Sequence, residues 1–160
     1  MEIRRAINND IDRLLDLLSQ VLEVHAKIRP DIFKSGTRKY NREQLIEKVD
    51  DDKSPIYVAT IDNYVVGYAF CKIRLPEESN TALNKVCYID DLCVDAKYTH
   101  QGIGESLFNY VKKEAKRLGC YEITLNAWVG NTPANEFYKK MGMKPYSVNL
   151  EYILDKEEKE

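Results

Sequence analysis

Apolar residues near the start of the chain recur at helical spacing: Ile11, Leu14, Leu15, Leu18, Val21 and Leu22. They predict a helix after a short strand over residues 2–7. Asn8-Asn9-Asp10 ends that strand, and the Asp10 carboxylate suits the helix N-cap. Pro30 breaks the pattern, and a second, weaker helix is expected over residues 41–49. The segment between them carries charges and an exposed-looking Phe33. Residues 56–61 and 64–75 are rich in β-branched and aromatic side chains, with Asp62-Asn63 between them as a two-residue hairpin turn. A loop is expected over residues 76–80. Residues 85–94 form a nearly continuous apolar strand interrupted by Asp90 and Asp91.

The helical period returns from Ile103, with Leu107, Val111, Ala115 and Leu118 on one stripe and Lys112, Lys113, Lys116 and Arg117 outside it. Gly119 reads as its C-cap. Residues 122–127 form a strand; Asn131 or Thr132 caps a helix with Pro133 in its first turn, and Gly142 closes it. Val148, Leu150, Tyr152 and Leu154 alternate as a final strand over residues 147–154, before a charged tail over residues 155–160. The order β-αα-βββ-α-β-α-β implies an α/β fold, a mixed, mostly antiparallel sheet with helices on its faces.

Composition narrows the function. One domain is expected over residues 1–160, with 44% hydrophobic and 31% charged residues. The net charge of −2, with both signs interspersed, leaves no domain-wide basic field for nucleic acid. The four cysteines form no Cys-x-x-Cys pair, so neither a metal site nor a disulfide framework is expected. The longest apolar run is too short to span a bilayer. A soluble, cytoplasmic protein is expected.

The chemistry concentrates between Tyr88 and Met143. Thr99-His100-Gln101-Gly102-Ile103-Gly104 is a glycine-bearing turn opening a helix, which aims backbone N–H groups and a positive helix end at one point. Such a point suits a phosphate. Gly-x-Gly alone is weak, since a tight turn before a helix needs the same residues. Gly104-Glu105-Ser106 rules out a Walker loop, and Glu105 is expected to face solvent. Tyr138 is protonated at neutral pH and can act as an acid toward a departing thiolate of pKa ~8.5. Asp90 and Asp91, as neighbours in a strand, are expected on opposite faces, with Asp90 as a catalytic residue that attracts an ammonium substrate and accepts its proton through water, or with a raised pKa, or else only positions the cation. Direct abstraction by an unperturbed Asp90 would be uphill by about 9 kcal/mol, the gap between pKa ~3.9 and ~10.4. Cys93 has no histidine close in sequence to activate it and reads as a structural thiol; His25 and His100 read as surface residues.

The strand Tyr88-Ile-Asp-Asp-Leu-Cys-Val, the Gly102-x-Gly104 turn and Asn131-x-x-Ala134-x-x-Phe137-Tyr138-x-x-x-Gly142 together resemble the GNAT superfamily of acetyl-coenzyme A-dependent N-acetyltransferases. Thr99 stands where its phosphate-binding pattern has Arg or Gln. The subgroup most similar in motif comprises the spermidine/spermine and thialysine acetyltransferases, where glutamate stands at the position of Asp90. The resemblance implies a six- to seven-stranded GNAT-like sheet and acetyl-coenzyme A as cosubstrate. It implies the diphosphate on the amides of Thr99, His100, Gln101, Gly102, Ile103, Gly104 and Glu105, and pantetheine along Leu92, Cys93 and Val94. Asn131 and Ala134 would hold the coenzyme arm, Tyr138 would be the acid, and Asp90 and Asp91 would meet the amine. A homodimer is expected on the same ground, with a small cationic amine or polyamine as acceptor. The alternatives are a protein N-terminal or lysine acetyltransferase and a non-catalytic acetyl-coenzyme A-binding regulator.

Overall fold

Residues 1–75 and 84–154 are described by the structure, a computed structural model. The loop expected at residues 76–80 and the tail at 155–160 lie outside the described residues. Five strands, β1 (Glu2–Arg5), β2 (Ile56–Ile61), β3 (Tyr64–Arg74), β4 (Val86–Val94) and β5 (Glu122–Leu125), form one sheet in sequential order. β1 to β4 pair antiparallel, while β4 and β5 run parallel across the helical crossover. The mixed, mostly antiparallel expectation holds.

The hairpin turn is as expected: Asp62 and Asn63 both take positive φ, 50° and 63°, matching the primed turns that suit strand twist. Helices α1 (Ile11–Ile28) and α2 (Arg42–Val49) cover one face of the sheet, where Leu14, Leu17, Leu18, Leu45, Val58, Tyr68, Phe70 and Cys93 form one core. Helix α3 (Ile103–Arg117) covers the other, with Phe108, Val111 and Ala115 against Tyr57, Ala69, Cys71 and Ile89. Helix α4 (Thr132–Lys140) adds Phe137 to that side. Asn41 and Gln44 form a reciprocal capping box at α2.

Three expectations need correcting. Asp10 makes no side-chain cap to α1; its carboxylate takes both Arg4 nitrogens, at 2.7 and 3.0 Å, and the Ile7 N–H, an ion pair stronger than the cap it replaces. Phe33 is not exposed but half-buried between His25 and Trp128, at centroid distances of 5.2 and 5.5 Å. Residues 147–154 form no strand, so among the described residues the sheet has five strands rather than six or seven. Their apolar side chains stand in solvent, with Val148 75%, Leu150 92% and Tyr152 79% exposed. A bidentate contact between Arg29 and Glu151, 2.7 and 3.1 Å, ties this segment to the end of α1.

Candidate active site

β4 builds the site by leaving its neighbour. Its pairing with β5 covers only Val86 to Ile89, whereas its pairing with β3 continues to Val94. From Asp90 onward one backbone edge of β4 therefore faces a gap, and Leu92, Cys93 and Val94 line it. Gly67 lies opposite Val94; a Cβ there would sit 2.9 Å from the Cys93 carbonyl, so only glycine lets β3 press this close. Asp95 is buried and takes Arg13 at 2.6 Å and the Lys97 N–H at 3.1 Å, locking the strand end to α1.

Beyond Asp95 the chain reaches the glycine turn. His100 and Gly102 both have left-handed backbones, φ 63° and 76°. No side chain caps α3. The first helical bond runs from Ser106 N–H to the Gly102 carbonyl, so the N–H groups of Ile103, Gly104 and Glu105 have no intrahelical partner. Thr99 donates its hydroxyl to the Ala96 carbonyl and so stabilises the turn rather than the cradle. Ile103 is buried in the core and contributes only its backbone; Glu105 faces solvent as expected, with Gln101 and Gly102 also exposed. A nest of free amides at a helix start can hold an anionic oxygen.

Helix α4 closes the other side. Asn131 caps it, its Oδ1 accepting the Ala134 N–H at 3.4 Å, so only the Asn131 amide nitrogen is left for a ligand. A Cβ on Gly104 would lie 3.2 Å from the Phe137 ring, which shows how tightly α4 rests on the first turn of α3. Tyr138 packs edge-on against Phe137, at 5.1 Å. Burial raises the Tyr138 phenol above its ordinary pKa, and the negative charge of Asp91 raises it further.

The two aspartates do not behave as alternation predicts. Phe70 pairs with Asp91 and Cys71 with Ile89, leaving Asp90 as the extra residue of a β-bulge. The bulge turns both carboxylates onto the α1/α2 face. Asp90, with its side chain 7% exposed, accepts from Lys39 at 2.9 Å and from the Tyr40 hydroxyl at 2.7 Å, with Lys72 at 3.7 Å. Burial alone would raise its pKa, but the Lys39 and Tyr40 hydrogen bonds outweigh it and hold Asp90 below the usual carboxylate value. Asp90 is therefore an internally neutralised anion and a poor base. Among the described residues Asp91 accepts one side-chain hydrogen bond, from Tyr68 at 2.7 Å. Desolvation lifts its pKa above the ordinary value, only partly offset by that bond and by His25 and Lys39. Of the pair, Asp91 has the properties of a proton acceptor.

Cys93 is buried, and its pKa is pushed up to about 12 by burial and by Asp91. It is a thiol at neutral pH, as expected. His100 is exposed; His25 is half-buried against Phe33 and close enough to act on Asp91. Sequence reasoning missed Lys39, Tyr40, Tyr68 and Lys72, whose roles exist only through contacts distant in sequence. Among the described residues no His, Cys, Asp and Glu cluster could hold a metal ion, and no helix is long and apolar enough to cross a membrane.

Comparison with known proteins identifies the family and the fold. The family described as acetyltransferase (GNAT) family matches residues 18–143. An N-alpha-acetyltransferase of Sulfurisphaera tokodaii is 29% identical over 123 residues, covering 71% of each chain. A crystal structure of a mutant BH1408 protein from Bacillus halodurans has a TM-score of 0.91 and 29% identity, covering 96% of this chain and 99% of that one. The aminoglycoside N-acetyltransferase AAC(6')-Iy in complex with CoA shares the fold, with a TM-score of 0.71 at 16% identity over 96% of this chain and 99% of that one.

Proposed function

The chain belongs to the GNAT family of acetyltransferases, and we propose that it moves the acetyl group of acetyl-coenzyme A directly onto a primary amine. One observation supports this reading: β4 parts from β5 after Ile89, leaving a free strand edge on the way to the unpaired amides that open α3. In this reading the N–H groups from His100 to Glu105 receive the diphosphate. The free edge of Leu92, Cys93 and Val94 pairs with the pantetheine amides, and the amide nitrogen of Asn131 reaches the coenzyme arm beside Ala134.

Asp91 rather than Asp90 receives the ammonium and takes its proton. Asp90, pinned by Lys39 and Tyr40, holds the wall of the acceptor site. Tyr138 donates to the sulfur as the thiolate leaves. The two steps are coupled: protonating Asp91 removes a negative charge that raises the Tyr138 pKa, so Tyr138 becomes a better acid once the amine is deprotonated. Orienting both substrates at once supplies much of the rate.

The motif resemblance to spermidine/spermine and thialysine acetyltransferases supports a small amine acceptor. The name of the Sulfurisphaera relative supports a protein N-terminus as the second reading. Thiol release from acetyl-coenzyme A, screened against polyamines, amino acids, aminoglycosides and short peptides, separates them. Coenzyme binding by calorimetry with no amine-dependent release would instead make the protein a regulator.

We also propose one domain and a homodimer. The exposed, alternating apolar side chains of residues 147–154 support a second copy as their cover. Light scattering that gives a monomer's mass at micromolar concentration overturns the dimer.

A further inference from the structure

We propose that the acceptor amine carries an anionic group, a carboxylate or a phosphate, and that Lys72 and Arg74 receive it. This rests on the acetyl-transfer reading and adds the acceptor's class to it. Lys72 and Arg74 alternate along β3 and pair with Tyr88 and Val86 of β4 on the α1/α2 face, next to the bulge. The Arg74 guanidinium carbon lies over the Tyr88 ring, 4.0 Å from its centroid, and Arg74 makes no ion pair among the described residues. Lys72 reaches Asp90 only at 3.7 Å, and that carboxylate is already held by Lys39 at 2.9 Å. Lys48, facing Tyr40 at 4.8 Å, adds a further positive charge to the same wall.

The strip from Asp91 toward Val86 therefore carries more positive than negative charge among its described side chains. A polyamine whose first ammonium met Asp91 would lay its next one against Lys72. An anion laid there instead gains Lys72 and a guanidinium that has no ion pair among the described residues. The spacing sets the length. Lys72 lies two residues along β3 from Phe70, the partner of Asp91, roughly 7 Å at about 3.3 Å per residue. Lysine reach shortens that span, so amine and anion sit several bonds apart. An α-amino group beside its own carboxylate does not bridge it.

Three acceptors of equal length test the charge alone: 6-aminohexanoate, hexylamine and 1,6-diaminohexane, with 6-aminohexyl phosphate to distinguish the two anions. The expected order of kcat/KM is anion, then neutral, then cation, with about tenfold between the ends and the effect in KM. Arg74→Gln, which touches no residue of the catalytic cluster, should raise KM for 6-aminohexanoate severalfold while changing that for hexylamine far less; Lys72→Gln should widen the loss for 6-aminohexanoate relative to hexylamine, and added salt should weaken the anion's advantage. An equal or reversed order overturns this proposal while acetyl transfer stands. No thiol release with any of the four also overturns this proposal; the acetyl-transfer reading falls with it only if the wider screen of amines and peptides gives no release either.

Discussion

The two ends of the site are built from different materials. At the start of α3 the groups on offer are backbone amides, set by the left-handed conformations of His100 and Gly102; the side chains point elsewhere or, like Thr99, serve the turn. Around the bulge the groups on offer are side chains gathered from β3, β4, α4 and the segment between α1 and α2. Backbone recognition survives substitution, so an amide nest can be shared by proteins that use one common donor. Side chains drawn from four elements can change one at a time, which suits an acceptor that differs from protein to protein.

The contrast can be tested at both ends. The largest loss is expected from Asp91→Asn. Removing a general base costs about 10²-fold or more in kcat, and the acetyl-coenzyme A KM should hardly move. The same substitution should raise the melting temperature near neutral pH. The folded pKa of Asp91 is raised, so its favourable contribution is complete below the unfolded value and is lost as pH rises through the folded one. A melting temperature that falls instead would contradict the desolvated carboxylate. Tyr138→Phe should lower kcat at least about tenfold with coenzyme affinity nearly intact, and unchanged turnover would remove the phenol from the mechanism.

At the donor end, Gly102→Val puts a β-branched residue at φ 76° and should weaken coenzyme binding about tenfold, from roughly 1–2 kcal/mol of strain, with kcat at saturation little changed. Calorimetry reads it directly. The smallest effect is expected from Asp90→Asn, a few-fold in kcat/KM. Its folded pKa is depressed, so the wild type's advantage in stability is present above the unfolded pKa and disappears as pH falls through the folded one.

Much of the frame was legible in the chain. Helical spacing at Leu14, Leu18, Leu107 and Val111 marks faces that must be buried, and Asp62-Asn63 admits few conformations other than its turn. The glycine turn and the Asn131 cap were legible for the same reason, since local geometry dictates them. The bulge at Asp90 was not. Alternation assumes an unbroken ladder, and nothing local in Ile89-Asp90-Asp91 marks where the register slips against Phe70. The Lys39–Asp90 and Tyr40–Asp90 contacts span about fifty residues and follow from tertiary packing alone. The last apolar alternation, from Val148 to Leu154, is a strand signal in search of a partner; pattern says that a side must be covered and is silent on which chain covers it.

The contact of Phe137 with Gly104 makes α4 and the opening turn of α3 one mechanical body. Filling the amide nest should therefore stiffen the helix that carries the phenol. In hydrogen–deuterium exchange the amides of residues 132–140 should slow when coenzyme A alone is added, with no acceptor present. On the proposed mechanism, loading of the donor and readiness of the acid would then be one event.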